Sequence, residues 1–489
     1  MGFKKIVMLS ILLVLLSGCG SSLQNVTKNV KSGAKKVVSS SGMSLPDKKE
    51  DIDKLYKENL DINNTSDLLW NYKAGTIAIL NAKYKDSIFY FDRAEELIKK
   101  YDEEVLASKA LANIGAILTN DRFMDYRPKI YEKIMVNSIK GLDFIFLKDK
   151  NNARIELNRA LVRQERAVEF FKKEISKLKQ EMEKEKESKD ANKTARVDYN
   201  KIIKNKKTTD PIEKKYKNLF AFKPYRDFVN PFVTYLSGIY FLASNDYRKA
   251  TDLLKESYGM IKGIDDGDKY VLSDFKLASR LKSSTKSRKE HYVWIIFFNG
   301  LGPIKEELRI DIPLFLFTND IAYTGIALPT LKMRKKAFEY LEIKVPGYNK
   351  IRTKTITSMD RIIKAEFKKR FPYIMQRALI RTVVQTVIQK QVNDKLEKGM
   401  MGAGPFGYLL AKGITAGAQY MLTRADTRMW DSLPKEFQVA RVPAKNSLLI
   451  YTPSGKLIKK VNINKNKNHI IFINIPTSQS DPVVFVADI

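Results

Sequence analysis

The chain has 489 residues, 44% of them apolar, and carries 88 lysines and arginines against 55 aspartates and glutamates, for a net charge of +33. One cysteine excludes an internal disulfide and a cysteine-based zinc site, and two histidines leave few members for a histidine triad or a multi-histidine metal site. The length suggests two to four domains, and so basic a chain reflects either a polyanionic or membrane partner or the overall richness of the sequence in Lys, Ile and Asn.

At the start, Lys4 and Lys5 precede an apolar run from Ile6 to Leu16 that only Ser10 interrupts. That is the length of a signal-peptide core and short of the ~18 residues of a spanning helix. Leu16, Ser17, Gly18 and Cys19 resemble the lipobox of bacterial lipoproteins. The resemblance implies removal of residues 1–18 by cleavage between Gly18 and Cys19, and a diacylglyceryl group with palmitate-type chains on the Cys19 thiol. Each buried acyl methylene contributes about 0.8 kcal/mol, so two or three chains anchor a protein durably. Loss of Lys4 and Lys5 lowers the net charge from +33 to +31. An exported chain meets phospholipid headgroups or anionic envelope polymers, and nucleic acid is not an expected partner. Gly20, in place of aspartate, favours the periplasmic side of the outer membrane over the inner membrane, with surface exposure as the alternative.

Residues 19–50 are rich in Ser, Gly and Lys and read as a flexible tether. From 51 to 285 the apolar spacing is helical, and one pattern occurs three times. Gly75, Tyr84, Ser87, Phe91 and Ala94 stand at offsets 0, 9, 12, 16 and 19. Gly141, Lys150, Ala153, Leu157 and Ala160 repeat those offsets, as do Gly238, Tyr247, Ala250, Leu254 and Ser257. Small residues at fixed points let two antiparallel helices touch, while the larger ones fill the space beside them. The spacing resembles the tetratricopeptide (TPR) repeat, although the glycines lie 66 and 97 residues apart and not 34. Leu161, Val168, Phe171, Ile175, Leu178 and Met182 suggest a seam on one long helix, leading into a charged, protruding segment at about 172–218.

Residues 288–489 read as a β-rich domain, simplest as an antiparallel β-sandwich with a helical insertion at about 358–425. His291 and His469 stand in strand-like apolar runs and read as packed residues. The long helix of the insertion is expected to kink or restart at Pro372 and to carry a basic face that includes Arg370, Arg377 and Arg381. Gly402, Gly404 and Gly407 have dinucleotide-loop spacing but follow a helix, so they read as a bend. No cofactor, metal or catalytic group is expected.

Two further stretches stand out: Asn299, Gly300, Gly302, Pro303, Lys305 and Glu306 in "NGLGPIKEE", and Arg424, Asp426, Arg428 and Trp430 in "RADTRMWDSLP". With the lipobox and the TPR-like units, they resemble an uncharacterised family of TPR-containing bacterial envelope lipoproteins. The expectation is therefore an α+β, multidomain, lipid-anchored envelope protein that is not an enzyme. It would act as a TPR-type scaffold or adaptor for an envelope protein or peptide, in cell-wall or envelope assembly. The alternative is a basic protein binding an anionic envelope polymer or the membrane surface, with an envelope hydrolase behind both.

Overall fold

The computed structural model describes Leu45 and residues 48–59, 67–106, 125–187, 203–226, 228–284, 290–313, 323–399 and 424–489. The lipobox with Gly18 and Cys19, nearly all of the tether, the core of the charged segment at 188–202 and the glycines at 402, 404 and 407 lie outside the described residues.

The architecture is α+β. Helices come first: α1 (Lys49–Asn59), α2 (Leu68–Leu80), α3 (Tyr84–Leu106), α4 (Ile130–Phe146), α5 (Lys150–Glu165), α6 (Ala167–Glu187), α7 (Lys206–Phe220), α8 (Pro231–Ala243), α9 (Tyr247–Ile261) and α10 (Asp268–Lys282). Strands β1 (Tyr292–Leu301), β2 (Ile304–Pro313), β3 (Tyr323–Lys332), β4 (Glu342–Lys344), β5 (Ile351–Arg352) and β6 (Lys354–Ser358) follow, then α11 (Met359–Gly399). The chain closes with β7 (Pro434–Pro443), β8 (Ser447–Tyr451), β9 (Leu457–Asn462), β10 (His469–Ile475) and β11 (Val483–Asp488).

Pairs α2/α3, α4/α5 and α8/α9 are helical hairpins of one design. Seven residues after each glycine, Ala82, Lys148 and Asn245 take left-handed backbone angles (φ 56°, 62° and 67°). The next N–H groups, of Lys83, Asp149 and Asp246, each donate at 2.9 Å to the carbonyl five residues back. This Schellman-type bond satisfies a carbonyl that the helix end leaves open. The helices meet where each glycine lies: a Cβ there would stand 2.7 Å from Phe91, 2.9 Å from Leu157 or 2.8 Å from Leu254.

The first helices of these pairs, α2 and α8, are buried along their whole length, and α4 along nearly all of it. One side of each meets the second helix; the other side of α4 and α8 meets the chain's own strands, and that of α2 meets Trp430. Helix α4 packs on β11, α8 on β6, and α11 crosses α4. Phe232 of α8 stacks on Phe437 of β7 with centroids 3.9 Å apart. One apolar core therefore runs from Ile52 to Ala487 and joins helices to strands.

Strands form a five-stranded sheet ordered β11-β10-β1-β7-β6, a four-stranded sheet ordered β5-β4-β8-β9, and the β2-β3 ribbon. Alternate residues of β1 serve different layers. Trp294, Ile296 and Phe298 join the helical core, while Val293, Ile295 and Phe297 pack with Ile343, Leu448 and Ile450 of the four-stranded sheet. With both faces covered, β1 reads as an unbroken apolar run.

Three local expectations change. Strands β1 and β10 pair in parallel, Val293 opposite His469, so the sheet is mixed; periodicity reports which face a residue takes but not its neighbour strand. Helix α11 does not restart at Pro372 but continues through it. The supposed single seam helix divides at Arg166, so Leu161 lies on α5 and the rest of the stripe on α6. Among the described residues no helix is long and apolar enough to cross a membrane.

Candidate functional site

Where α4, α6, β2, β3, α11 and the segment 424–430 converge, they enclose a cavity of about 160 Å³. Helix α11 supplies its long wall as two parallel stripes of identical spacing. Ile363, Phe367, Ile374 and Ala378 form the apolar stripe; Glu366, Arg370, Arg377 and Arg381 form the charged one. Intervals of 4, 7 and 4 keep each stripe on one face of a helix. Ala327 and Leu331 of β3, with Ile175 and Leu178 of α6, extend the apolar surface.

The charged floor is built around the start of α4. Pro128 precedes Lys129, whose extended backbone (φ −86°, ψ 155°) opens the helix. The Glu132 carboxylate accepts the Lys129 N–H at 2.9 Å and the hydroxyls of Tyr126 and Tyr131 at 2.6 and 3.2 Å. From α11, Glu366 accepts the N–H groups of Ile130 and Tyr131 at 3.1 and 3.3 Å, completing the cap. A carboxylate suits this end because open N–H groups carry partial positive charge.

Arg370 bridges the wall to α6, donating to Glu366 at 2.8 Å and to Glu174 at 2.7 Å. Glu174 also accepts the Tyr101 hydroxyl at 2.5 Å. Burial pushes the Glu174 carboxyl up, but Arg370 outweighs it and holds the group at about 2. Arg428 binds both Asp426 oxygens at 2.9 Å. Burial opposes ionisation of Asp426 too, and Arg428 with Lys305 keeps its carboxyl below the usual range.

Two lysines have a different environment. Lys129 donates to the Arg127 carbonyl at 2.8 Å, and Lys305 to the Arg428 carbonyl at 3.2 Å. Among the described residues neither reaches a carboxylate within ion-pair distance. Burial, with Arg370 and Lys305 nearby, brings Lys129 down from 10.5 to about 7. Burial likewise lowers Lys305, against the pull of Asp426 and Glu132. Among the described residues, seven cationic side chains line the cavity against four carboxylates.

The two sequence-predicted stretches meet here. Lys305 comes from the first, and Asp426 and Arg428 from the second. Arg424 stays close through Glu307, whose carboxylate lies 3.6 Å from Arg424 Nε and accepts the Ala425 N–H at 2.9 Å. Glu306 points elsewhere and pairs with Lys332 at 2.8 Å on the surface. Buried Asn299 donates to the Phe338 carbonyl at 2.6 Å and accepts the N–H groups of Ala337 and Phe338. Gly300 turns the chain at φ +69°, where a Cβ would stand 2.8 Å from the Lys336 backbone. The Gly302 N–H donates to the Leu433 carbonyl at 2.9 Å, beside buried Pro303. Trp430 lies under α2, away from the cavity. Of the repeat positions, Gly75, Phe91, Ala94, Gly141, Ala153, Ala160, Gly238 and Ala250 form the hairpin contacts or core, with Tyr84 and Tyr247 packed at the edge of it.

Lys129 is the residue that sequence reasoning misses. Its only local sign is a proline before a helix start, which says nothing about a cavity. Compared with known protein families, curated proteins and solved structures, the chain matches none.

Proposed function

We propose that this is a lipid-anchored cell-envelope protein that binds an anionic envelope component in the cavity and performs no chemistry on it. One observation carries the reading. Two stretches more than 100 residues apart in sequence deliver Lys305 and Arg428 to a cavity where, among the described residues, cations outnumber carboxylates and two lysines donate hydrogen bonds to carbonyls and not to carboxylates. Crowded, partly desolvated cations repel one another, and an entering anion relieves that repulsion. Glu174, Glu366 and Asp426 are each engaged with an arginine or with backbone N–H groups, which suits holding a ligand better than moving protons.

Equal hairpin geometry at Gly75, Gly141 and Gly238 supports the TPR-like description of the helices, and the shared β1 core supports packed sheets in the manner of a sandwich. A TPR adaptor uses the concave side formed by its first helices, but here α2, α4 and α8 are buried, α4 and α8 against the chain's own strands and α2 against Trp430. That burial favours the cavity over the helical concavity as the binding element. The resemblance to envelope lipoproteins is consistent with a role in cell-wall or envelope assembly.

Titration of the purified protein with inorganic pyrophosphate tests the binding reading. Wild type should bind, and a Lys129→Ala, Lys305→Ala variant with an unchanged circular dichroism spectrum should bind at least tenfold more weakly. Equal binding by both proteins refutes the site. For the anchor, Cys19→Ser should abolish palmitate labelling and release the protein from membranes; continued labelling refutes it.

A further inference from the structure

The cavity is elongated as well as charged. From Ile363 to Arg381 its wall follows 18 residues of α11, about 27 Å at ~1.5 Å per residue. A cavity of about 160 Å³ drawn out along that length is a long groove. Its length suits a headgroup with a chain laid along the helix. The two stripes of α11 run along it side by side, apolar next to charged.

Resting on the anion-binding reading above, we infer that the ligand is a phosphate-headed, single-chain amphiphile: its phosphate lies between Lys129 and Lys305, and its hydrocarbon runs along Phe367, Ile374 and Ala378. Arg370 and Arg428 are already matched by Glu174, Glu366 and Asp426, whereas Lys129 and Lys305 donate to backbone carbonyls and can turn their charge to a ligand. A phosphate monoester carries about −1.5 to −2 at neutral pH, a good match for two ammonium groups. The hydrocarbon gains burial against side chains that already line the apolar stripe.

The same geometry ties binding to proton uptake. Lys129 faces Glu132 on α4, Glu174 on α6, Lys305 on β2, Arg370 on α11 and Arg428 of the 424–430 segment. With its ammonium lowered to about 7, much of Lys129 is neutral at pH 8. A phosphate dianion beside it favours the charged form, so a proton is taken from solvent as the ligand enters.

Isothermal titration at pH 8, in two buffers of different ionisation heat, reads affinity and protons together. Octyl phosphate should bind wild type at least tenfold tighter than butyl phosphate, inorganic phosphate or octanoate, with net proton uptake. Each methylene that the groove buries adds up to about fourfold. Lys129→Arg should retain binding and lose the uptake, while Lys129→Met should lose at least tenfold in affinity. If octyl phosphate binds no tighter than inorganic phosphate, the amphiphile is wrong; if octanoate equals it, phosphate is wrong. In either case binding of pyrophosphate keeps the broader reading alive. If neither pyrophosphate nor any of these probes binds, both fall.

Discussion

Trp430 stacks on Tyr72 with ring centroids 4.5 Å apart and planes 15° from parallel. One residue stands before the last strands and the other in the middle of α2, and the Trp430 indole N–H donates to Thr76 Oγ1 of the same helix at 3.0 Å. Both rings are fully buried, so this contact joins α2 to the segment before β7 through the shared core. Trp430→Ala should cost about 3–5 kcal/mol. Chemical denaturation followed by circular dichroism should show helices and strands losing stability together. A loss confined to one class of structure would contradict the shared core. Beside it, the Tyr72 hydroxyl is buried with no hydrogen-bond partner among the described residues. Tyr72→Phe should therefore be neutral or stabilising by about 1 kcal/mol.

The hairpin glycines give a sharper contrast. A Cβ at Gly238 would stand 2.8 Å from Leu254 Cγ, whereas one at Gly259 would meet nothing within 4 Å. Gly238→Ala should destabilise by about 1–3 kcal/mol, because the two helices must separate to admit it. Gly259→Ala, inside α9, should instead stabilise by up to about 1 kcal/mol through helix propensity. Thermal melts of the two variants should move in opposite directions.

Much of this was legible in the residues because local physics determines it. Gly75, Gly141 and Gly238, each with its large partner sixteen positions on, marked all three hairpins. The change from helical to alternating spacing near 288 marked the strands, and the motif stretches marked Lys305, Asp426 and Arg428. The parallel pairing of β1 with β10 was hidden, since it joins residues about 175 positions apart and leaves no periodic trace. The cavity was hidden for a related reason. Arg370, Arg377 and Arg381 read only as a basic helix face, and nothing in their spacing shows that α6 and β3 cover that side of α11. Lys129 acquires its role only when Lys305 and Arg370 arrive beside it.

Acid should expose the Glu174–Arg370 bridge. Burial raises the Glu174 carboxyl and Arg370 more than reverses it, to about 2, below the ordinary 4.5. A lowered folded-state value means stability that is present above pH 4.5 and lost as pH falls from there towards 2. Arg370→Met strands Glu174 and Glu366 in the core and should cost about 3–5 kcal/mol at pH 7. The gap between wild type and variant should narrow as pH falls from 5 to 3 in urea titrations. A gap that holds constant would remove the ion pair as its cause.

Lys129 predicts the opposite side of the pH scale. Its ammonium falls from 10.5 to about 7 on folding, chiefly through burial and then through the Arg370 and Lys305 charges. Between those values the unfolded chain binds more protons than the folded one, so this residue makes stability rise with pH across the window. Below pH 7 both states are protonated and the penalty of the buried charge is present in full. Lys129→Met removes the titration, and the hydrophobic side chain retains most of the packing. The variant should therefore be the more stable protein at pH 6.5, and its advantage should shrink towards pH 9 by up to about 1.4 kcal/mol per pH unit. Shared titrations cancel in that difference, so urea unfolding of the two proteins at five or six pH values isolates the lysine. Saturating octyl phosphate should flatten the wild-type curve, because an anion beside the ammonium removes the penalty that creates the slope. A slope that is the same with and without the ligand would show that the phosphate does not sit at Lys129.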